Sequence, residues 1–237
     1  MTERGAARVR RSAAALSIGP STIGWQGDAL CVEFDEVTVP WPARLRGRVR
    51  LQPQALFGTT HALDAGGRHR WWPVAPCARV EVELEQPALR WSGHGYHDTN
   101  WGDEPLERGF AGWHWSRSTL PGGDTVVMYD AKPRRSAPRA LALRFSPQGA
   151  VGDFDAPPPQ RLPTTLWRIP RVMRRPTGTA APRIETLEDA PFYARSLLRG
   201  SLDGQDAATF HESLSLDRFS RAWVRCLLPF RMPRRPG

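Results

Sequence analysis

Hydrophobic and polar residues alternate along most of this chain with the period of a β-strand, whose successive side chains point to opposite faces. From Asp28 to Val39, Leu30, Val32 and Phe34 alternate with Glu33 and Asp35, until Pro40-Trp41-Pro42 ends the run. From Arg44 to Leu51, Leu45, Gly47, Val49 and Leu51 share one face, and Arg44, Arg46, Arg48 and Arg50 the other. Four alternating arginines read as the solvated face of a half-buried antiparallel strand rather than as a phosphate-binding stripe. Asp64-Ala65-Gly66-Gly67 predicts a hairpin turn leading into Arg68–Pro73. Val80, Val82 and Leu84 then alternate with Arg79, Glu81, Glu83 and Glu85, and Pro87 redirects the strand that follows. Beyond Pro105 the same grammar predicts strands over 112–120, 125–129, 140–145, 165–172, 183–187, 209–216 and 222–230. Residues 1–24 show no periodic pattern and read as a weakly ordered lead; 157–159 and 174–178 read as exposed loops.

The 23 prolines and 21 glycines in 237 residues fit many short strands joined by turns, and the length allows one large β domain or two small ones. The formal charge of +9 comes almost entirely from arginine, Lys132 being the only lysine. So one-sided a ratio follows from a GC-rich genome as readily as from an anionic partner, and no nucleic-acid-binding module is present, so no nucleic-acid partner is expected. An anionic membrane surface fits the charge equally well. Cys31, Cys77 and Cys226 are widely separated, which suggests neither a disulfide framework nor a zinc site and points to a reducing cytoplasm. No apolar run reaches the ~18 residues of a spanning helix, and Ala13–Leu16 is short for a signal peptide.

Chemistry concentrates in Trp91-Ser92-Gly93-His94-Gly95-Tyr96-His97-Asp98-Thr99-Asn100-Trp101-Gly102-Asp103-Glu104-Pro105, followed by Trp113-His114-Trp115-Ser116-Arg117. In an extended segment, His94, Tyr96, Asp98 and Asn100 share a face, so one carboxyl is flanked by hydrogen-bonding groups and a ring. The same spacing pairs His69 with Trp71. His69, His94, His97 and His114 invite a metal, but His94 and His97 point to opposite faces and no ligand motif fits, so none is expected.

The run Gly93–Glu107, with Trp113–Arg117, resembles the carotenoid 1,2-hydratase (hydroxyneurosporene synthase) family. Further agreement lies in Leu16–Pro20, Leu63–Trp71, Ala75–Glu83, Leu187-Glu188-Asp189-Ala190-Pro191-Phe192-Tyr193-Ala194-Arg195 up to Leu198, and His211–Phe219. The resemblance implies a mainly β fold of antiparallel lipocalin-like (calycin) barrels. An incomplete first unit at 25–105 would carry the site, and a second unit would span 106–237. Met1 would fall within the middle of a longer first β unit, leaving its strand edges open as pairing hazards.

The implied activity is a hydro-lyase reaction, addition of water to the terminal 1,2 double bond of acyclic carotenoids such as neurosporene and lycopene in purple phototrophic bacteria, without a cofactor. The implied functional set is His69, Trp71, Tyr96 and Asp98. Such a reaction starts with a proton, so Asp98 is the candidate acid, to be kept protonated by burial. Trp71 and Tyr96 offer ring faces to the resulting cation, and His69 or Asn100 orients the water. Asn100, His94, Trp101 and Trp113 are further candidates for substrate contact, although an aromatic such as Trp113 also serves as core. Partners are then the carotenoid, water and, peripherally, the cytoplasmic side of the inner or photosynthetic membrane. The basic and aromatic run Arg221–Arg235 reads either as a last strand with a polar tail or as a membrane-surface anchor. The alternative to an enzyme is a lipocalin-like carrier that holds a carotenoid without chemistry.

Overall fold

The structure, a computed structural model, describes residues 3–39, 41–231 and 234–235. Pro40 and, near the C-terminus, Met232, Pro233, Pro236 and Gly237 therefore lie outside the described residues. The chain is mainly β and antiparallel, as the alternation predicts, and its contacts divide it into two units interleaved in sequence. Unit 1 comprises 1–54, 78–96 and 225–237, and unit 2 comprises 55–77 and 97–224. Segment 55–77, which sequence order groups with the first unit, thus has its contacts in the second.

In unit 1, strands Val9–Arg11, Ala15–Ile18, Ser21–Gln26, Ala29–Val37 and Arg44–Pro53 pair in sequence order, and the last pairs with the second half of strand His69–Gln86. The expected weakly ordered lead is thus corrected: it holds strands too short for their alternation to stand out. The four-arginine face is a ladder of exposed cross-strand ion pairs, Arg44–Asp35, Arg46–Glu85, Arg48–Glu83 and Arg50–Asp28. Arg48 stands directly opposite Glu83 and Val49 opposite Val82, so one register satisfies both the charges and the core. The next strand, Leu89–Gly102, pairs back on His69–Gln86, as a redirection at Pro87 requires.

Unit 2 is built on a seven-stranded antiparallel sheet. Its order is Val151–Asp153, Arg139–Phe145, Thr125–Pro133, Phe110–Thr119, Gln205–Ser215, Tyr193–Leu202 and Arg183–Asp189. The central strand, Phe110–Thr119, fixes two opposite faces. Trp113 and Trp115 share one with Tyr129, Glu212 and Leu214, and His114, Ser116 and Ser118 share the other with Met128, His211 and Ser213. A hairpin of Pro159–Leu162 and Arg171–Arg174 covers the second face through Leu162, Met173 and Leu198, and through Arg171 to Ser196 and Arg174 to Asp130. Met128, Leu198 and Leu202 are fully buried, each contributing at most about 1.5–3 kcal/mol.

Three expectations change. The sheets run between open edges, and no closed barrel forms among the described residues. The strand expected at 165–172 is a turn instead, where Arg168 N–H donates to Thr165 O and Ile169 N–H to Thr165 Oγ1, so that pairing begins only at Arg171. The expected last strand is a helix, Ala222–Arg231. Its apolar residues Trp223, Val224, Leu227 and Leu228 recur at the i, i+4 spacing of a helix, which the period-2 reading overlooked.

Candidate functional site

Asp64 prepares the start of the strand that carries His69 and Trp71. Gly67 takes φ +64° in the expected hairpin turn, and the Asp64 carboxylate accepts the backbone N–H of His69 at 2.8 Å. Trp71, two residues on, is fully buried, and its indole Nε1–H donates to Asp98 Oδ2 at 2.7 Å. The acid and the ring expected from separate strands thus meet, both within unit 2. An indole N–H can only donate, so Oδ2 is the accepting oxygen and Oδ1 lies outside this hydrogen bond.

Trp71 stands edge-on to Tyr129, with ring centroids 5.8 Å apart, and Trp113 lies 6.1 Å from the same Tyr129 ring. Trp113 therefore joins the site. Burial, with the charges of Asp98 and Glu212 where these are ionised, pushes the Tyr129 phenol far above its ordinary range, so it stays a neutral ring. Sequence reasoning missed Tyr129 because its strand, Thr125–Pro133, is buried on both faces from Thr125 to Tyr129 and loses the alternation that marks a functional face.

His69 is 2% exposed and packs edge-on to Phe110 at 4.8 Å. Its ring fills the space that a Cβ would need at Gly102 and Gly109, which is why neither position tolerates a side chain. Neither ring nitrogen has a hydrogen-bond partner among the described residues; Nε2 lies 3.8 Å from Glu104 Oε1. A small cleft of about 50 Å³ opens there, lined by Asp64, Arg68, His69, Glu104 and Arg135.

Tyr96 is half-buried and groups with unit 1, two residues along the strand from Asp98. His94, Asn100 and Trp101 are exposed, Trp101 to 45%. The structure does not gather these three with Trp71 and Asp98 through any described hydrogen bond or ring contact. A cleft of about 760 Å³ lies in unit 1 beside Arg46, Arg48, Glu83 and Glu85, a charged lining unsuited to an apolar ligand.

A second carboxyl, Glu212, bears on the site. It stands opposite Trp115 on one side and Arg195 on the other, on the sheet face that carries Tyr129. Burial raises its pKa above the usual carboxylate range, Tyr193 and Arg195 oppose that shift, and Glu188 and an ionised Asp98 add to it. The available signal was its place in the motif His211–Phe219.

The family model described as carotenoid hydratase CrtC matches residues 1–237. The chain is 52% identical over 235 residues to the acyclic carotenoid 1,2-hydratase of Rubrivivax gelatinosus, covering 99% of this chain and 58% of that protein. It is likewise 52% identical over 238 residues to the protein of that name from Thiocapsa roseopersicina, over 100% of this chain and 58% of the relative. The chain thus spans a little over half the length of these relatives. In fold it is similar to a crystal structure described as an AttH from Nitrosomonas europaea, with a TM-score of 0.62 at 15% identity, over 89% of this chain and 72% of that one.

Proposed function

Because the chain belongs to the carotenoid hydratase CrtC family, we propose that it adds water to the terminal 1,2 double bond of acyclic carotenoids such as neurosporene and lycopene. The observation that carries this reading is the Asp98 carboxyl, held by the buried indole N–H of Trp71 among aromatic rings. Oδ1–H transfers its proton to C-2, the less substituted alkene carbon, and the positive charge appears at C-1 as a tertiary cation. The faces of Trp71 and Tyr129 stabilise that cation, by about 2 kcal/mol or more where water is excluded. Water then adds at C-1. His69 and Tyr96 complete the functional set that the resemblance implies, and Trp113 packs behind Tyr129 against the substrate chain.

The experiment is incubation of the chain with lycopene or neurosporene in detergent, followed by chromatography for 1-hydroxy products. Product formation supports the enzyme. Binding without conversion is the result expected of a carrier and contradicts the reading.

The substrate resides in a bilayer, so the protein works at the cytoplasmic face of the inner or photosynthetic membrane. No helix among the described residues is long and apolar enough to cross a membrane. Surface contact is supported in unit 2 by Leu166, 92% exposed, beside Trp167, whose ring stacks on exposed Trp223 at 6.2 Å. Arg168 and Arg221, both exposed, supply charge for anionic headgroups. The protein is expected to float with vesicles containing phosphatidylglycerol, and Leu166→Glu to weaken that binding about tenfold. Unchanged flotation of the variant contradicts this contact.

A further inference from the structure

The addition leaves one task unassigned, because something has to hold the attacking water and take its proton. Of the candidates expected from sequence, His69 is shut in by Gly102, Gly109 and Phe110, and Asn100 is exposed. We propose that Glu212, held by Tyr193 and Arg195, orients the water and accepts its proton while Asp98 supplies the acid. This inference rests on the proposed hydration.

Register provides the placement. Tyr129, Trp115, Glu212 and Arg195 are direct cross-strand neighbours on four successive strands, so all four side chains share one face of the sheet. It is the face on which Trp71 meets Tyr129. Trp71 in turn holds Asp98 by its indole N–H, so the acid is tied to this face through the Trp71–Tyr129 contact. The stretches Trp113–Arg117, Leu187–Leu198 and His211–Phe219, far apart in sequence, converge there.

The surroundings of Glu212 suit a base more than a surface ion pair. Its side chain is 29% exposed, and Arg195 Nε stands 3.6 Å from Oε1. The Tyr193 hydroxyl accepts from Arg195 Nε at 3.0 Å and donates its own proton to Glu212. Arg195 also has an exposed partner, Glu188, at 3.1 Å, so its charge does not depend on Glu212. Of the titratable groups that bear on Glu212, Tyr193 and Arg195 favour its ionised form, Glu188 and an ionised Asp98 oppose it, and burial is the largest influence. A carboxylate raised in this way is more basic than a free one and so a better acceptor of the water's proton.

The step balances. The Asp98 Oδ1–H bond breaks as a C–H bond forms at C-2, and the π electrons leave C-1 positive. A water lone pair forms the C–O bond at C-1, and one water proton passes to the Glu212 carboxylate. Asp98 is then a carboxylate and Glu212 a carboxylic acid, and proton exchange through solvent restores both.

The test is kcat and KM for lycopene hydration from pH 5.5 to 8.5, using the full chain. Wild type should lose activity at the acidic end as Glu212 protonates. Glu212→Gln should lower kcat about 10²-fold with KM within threefold, and should lack that acidic limb. Glu212→Asp should recover part of the rate. Tyr193→Phe removes a donor to the carboxylate and should move the limb to higher pH. A Glu212→Gln enzyme with wild-type rate and limb overturns the inference and leaves the hydratase standing. If Glu212→Gln fails to fold, an unmoved limb in Tyr193→Phe overturns it instead. A wild-type chain that binds lycopene and makes no product overturns the proposed function and this inference with it.

Discussion

Asp98→Asn lowers kcat for lycopene hydration by about 10³-fold while lycopene binding stays within a few-fold. Asparagine is nearly the same size, and its carbonyl oxygen still accepts the Trp71 indole N–H, so the contact that orients the side chain persists. What disappears is the transferable proton, which an amide does not offer. Rate and binding therefore separate, and they separate only if Asp98 is the acid. A variant with wild-type kcat assigns the proton to another group. A variant that loses binding and rate together makes Asp98 a packing residue.

Lowering the pH from 7.5 to 5 destabilises unit 2 by several kcal/mol, through two histidines that hydration does not use. On the sheet face opposite Trp113 and Trp115, a chain of hydrogen bonds runs through the interior. Lys132 Nζ lies 3.3 Å from His114 Nε2, His114 Nδ1 2.9 Å from Ser213 Oγ, Ser213 Oγ 3.1 Å from His211 Nε2, and His211 Nδ1 2.8 Å from Ser116 Oγ. An ammonium only donates, so His114 Nε2 accepts and His114 Nδ1 donates to Ser213. Ser213 then donates to His211 Nε2, and His211 Nδ1 donates to Ser116. Each imidazole is neutral, with its acceptor nitrogen engaged.

Burial pushes His114 down to about 4, helped by Lys132 and opposed by Asp130. Burial, with His114 and Arg171 beside it, pushes His211 down to about 3. Both pKa values lie below the unfolded value near 6.5, so below that pH the unfolded chain binds the protons first. The stabilisation is complete above pH 6.5 and falls as pH drops toward 4, by about 1.4 kcal/mol per unit for each histidine. His61 and His97 are lowered by burial in the same sense, and Glu212, raised, offsets part of the slope near its own titration. Denaturant midpoints at pH 7.5, 6 and 5 check this. His211→Gln should flatten the dependence, and equal midpoints at pH 7.5 and 5 contradict it.

Alternation made much of unit 2 legible. Once Phe110–Thr119 is extended, parity alone sends Trp113 and Trp115 one way and His114 and Ser116 the other. The His69–Trp71 spacing and the Asp98 motif were equally readable, since each is local. The hydrogen bond between Trp71 and Asp98 was not, because it depends on how two separate strands register. Glu212 escaped notice for a related reason. An acid in an alternating strand looks solvated until non-local pairing brings Arg195 and Tyr193 beside it. The helix Ala222–Arg231 was misread because its apolar residues also fit a short strand, and the strands before Ser21 because their Arg and Ala residues mark no face.

The central claim is that a carboxylic acid protonates the alkene at C-2, and isotope labelling tests it most directly. Lycopene is incubated with the chain in D2O, and the 1-hydroxy product is analysed by mass spectrometry and NMR. Protonation by the exchangeable Asp98 carboxyl places a single non-exchangeable deuterium at C-2 of every product molecule, and no product forms with Asp98→Asn. A hydroxylated product without deuterium at C-2, or one formed equally well by Asp98→Asn, contradicts the account.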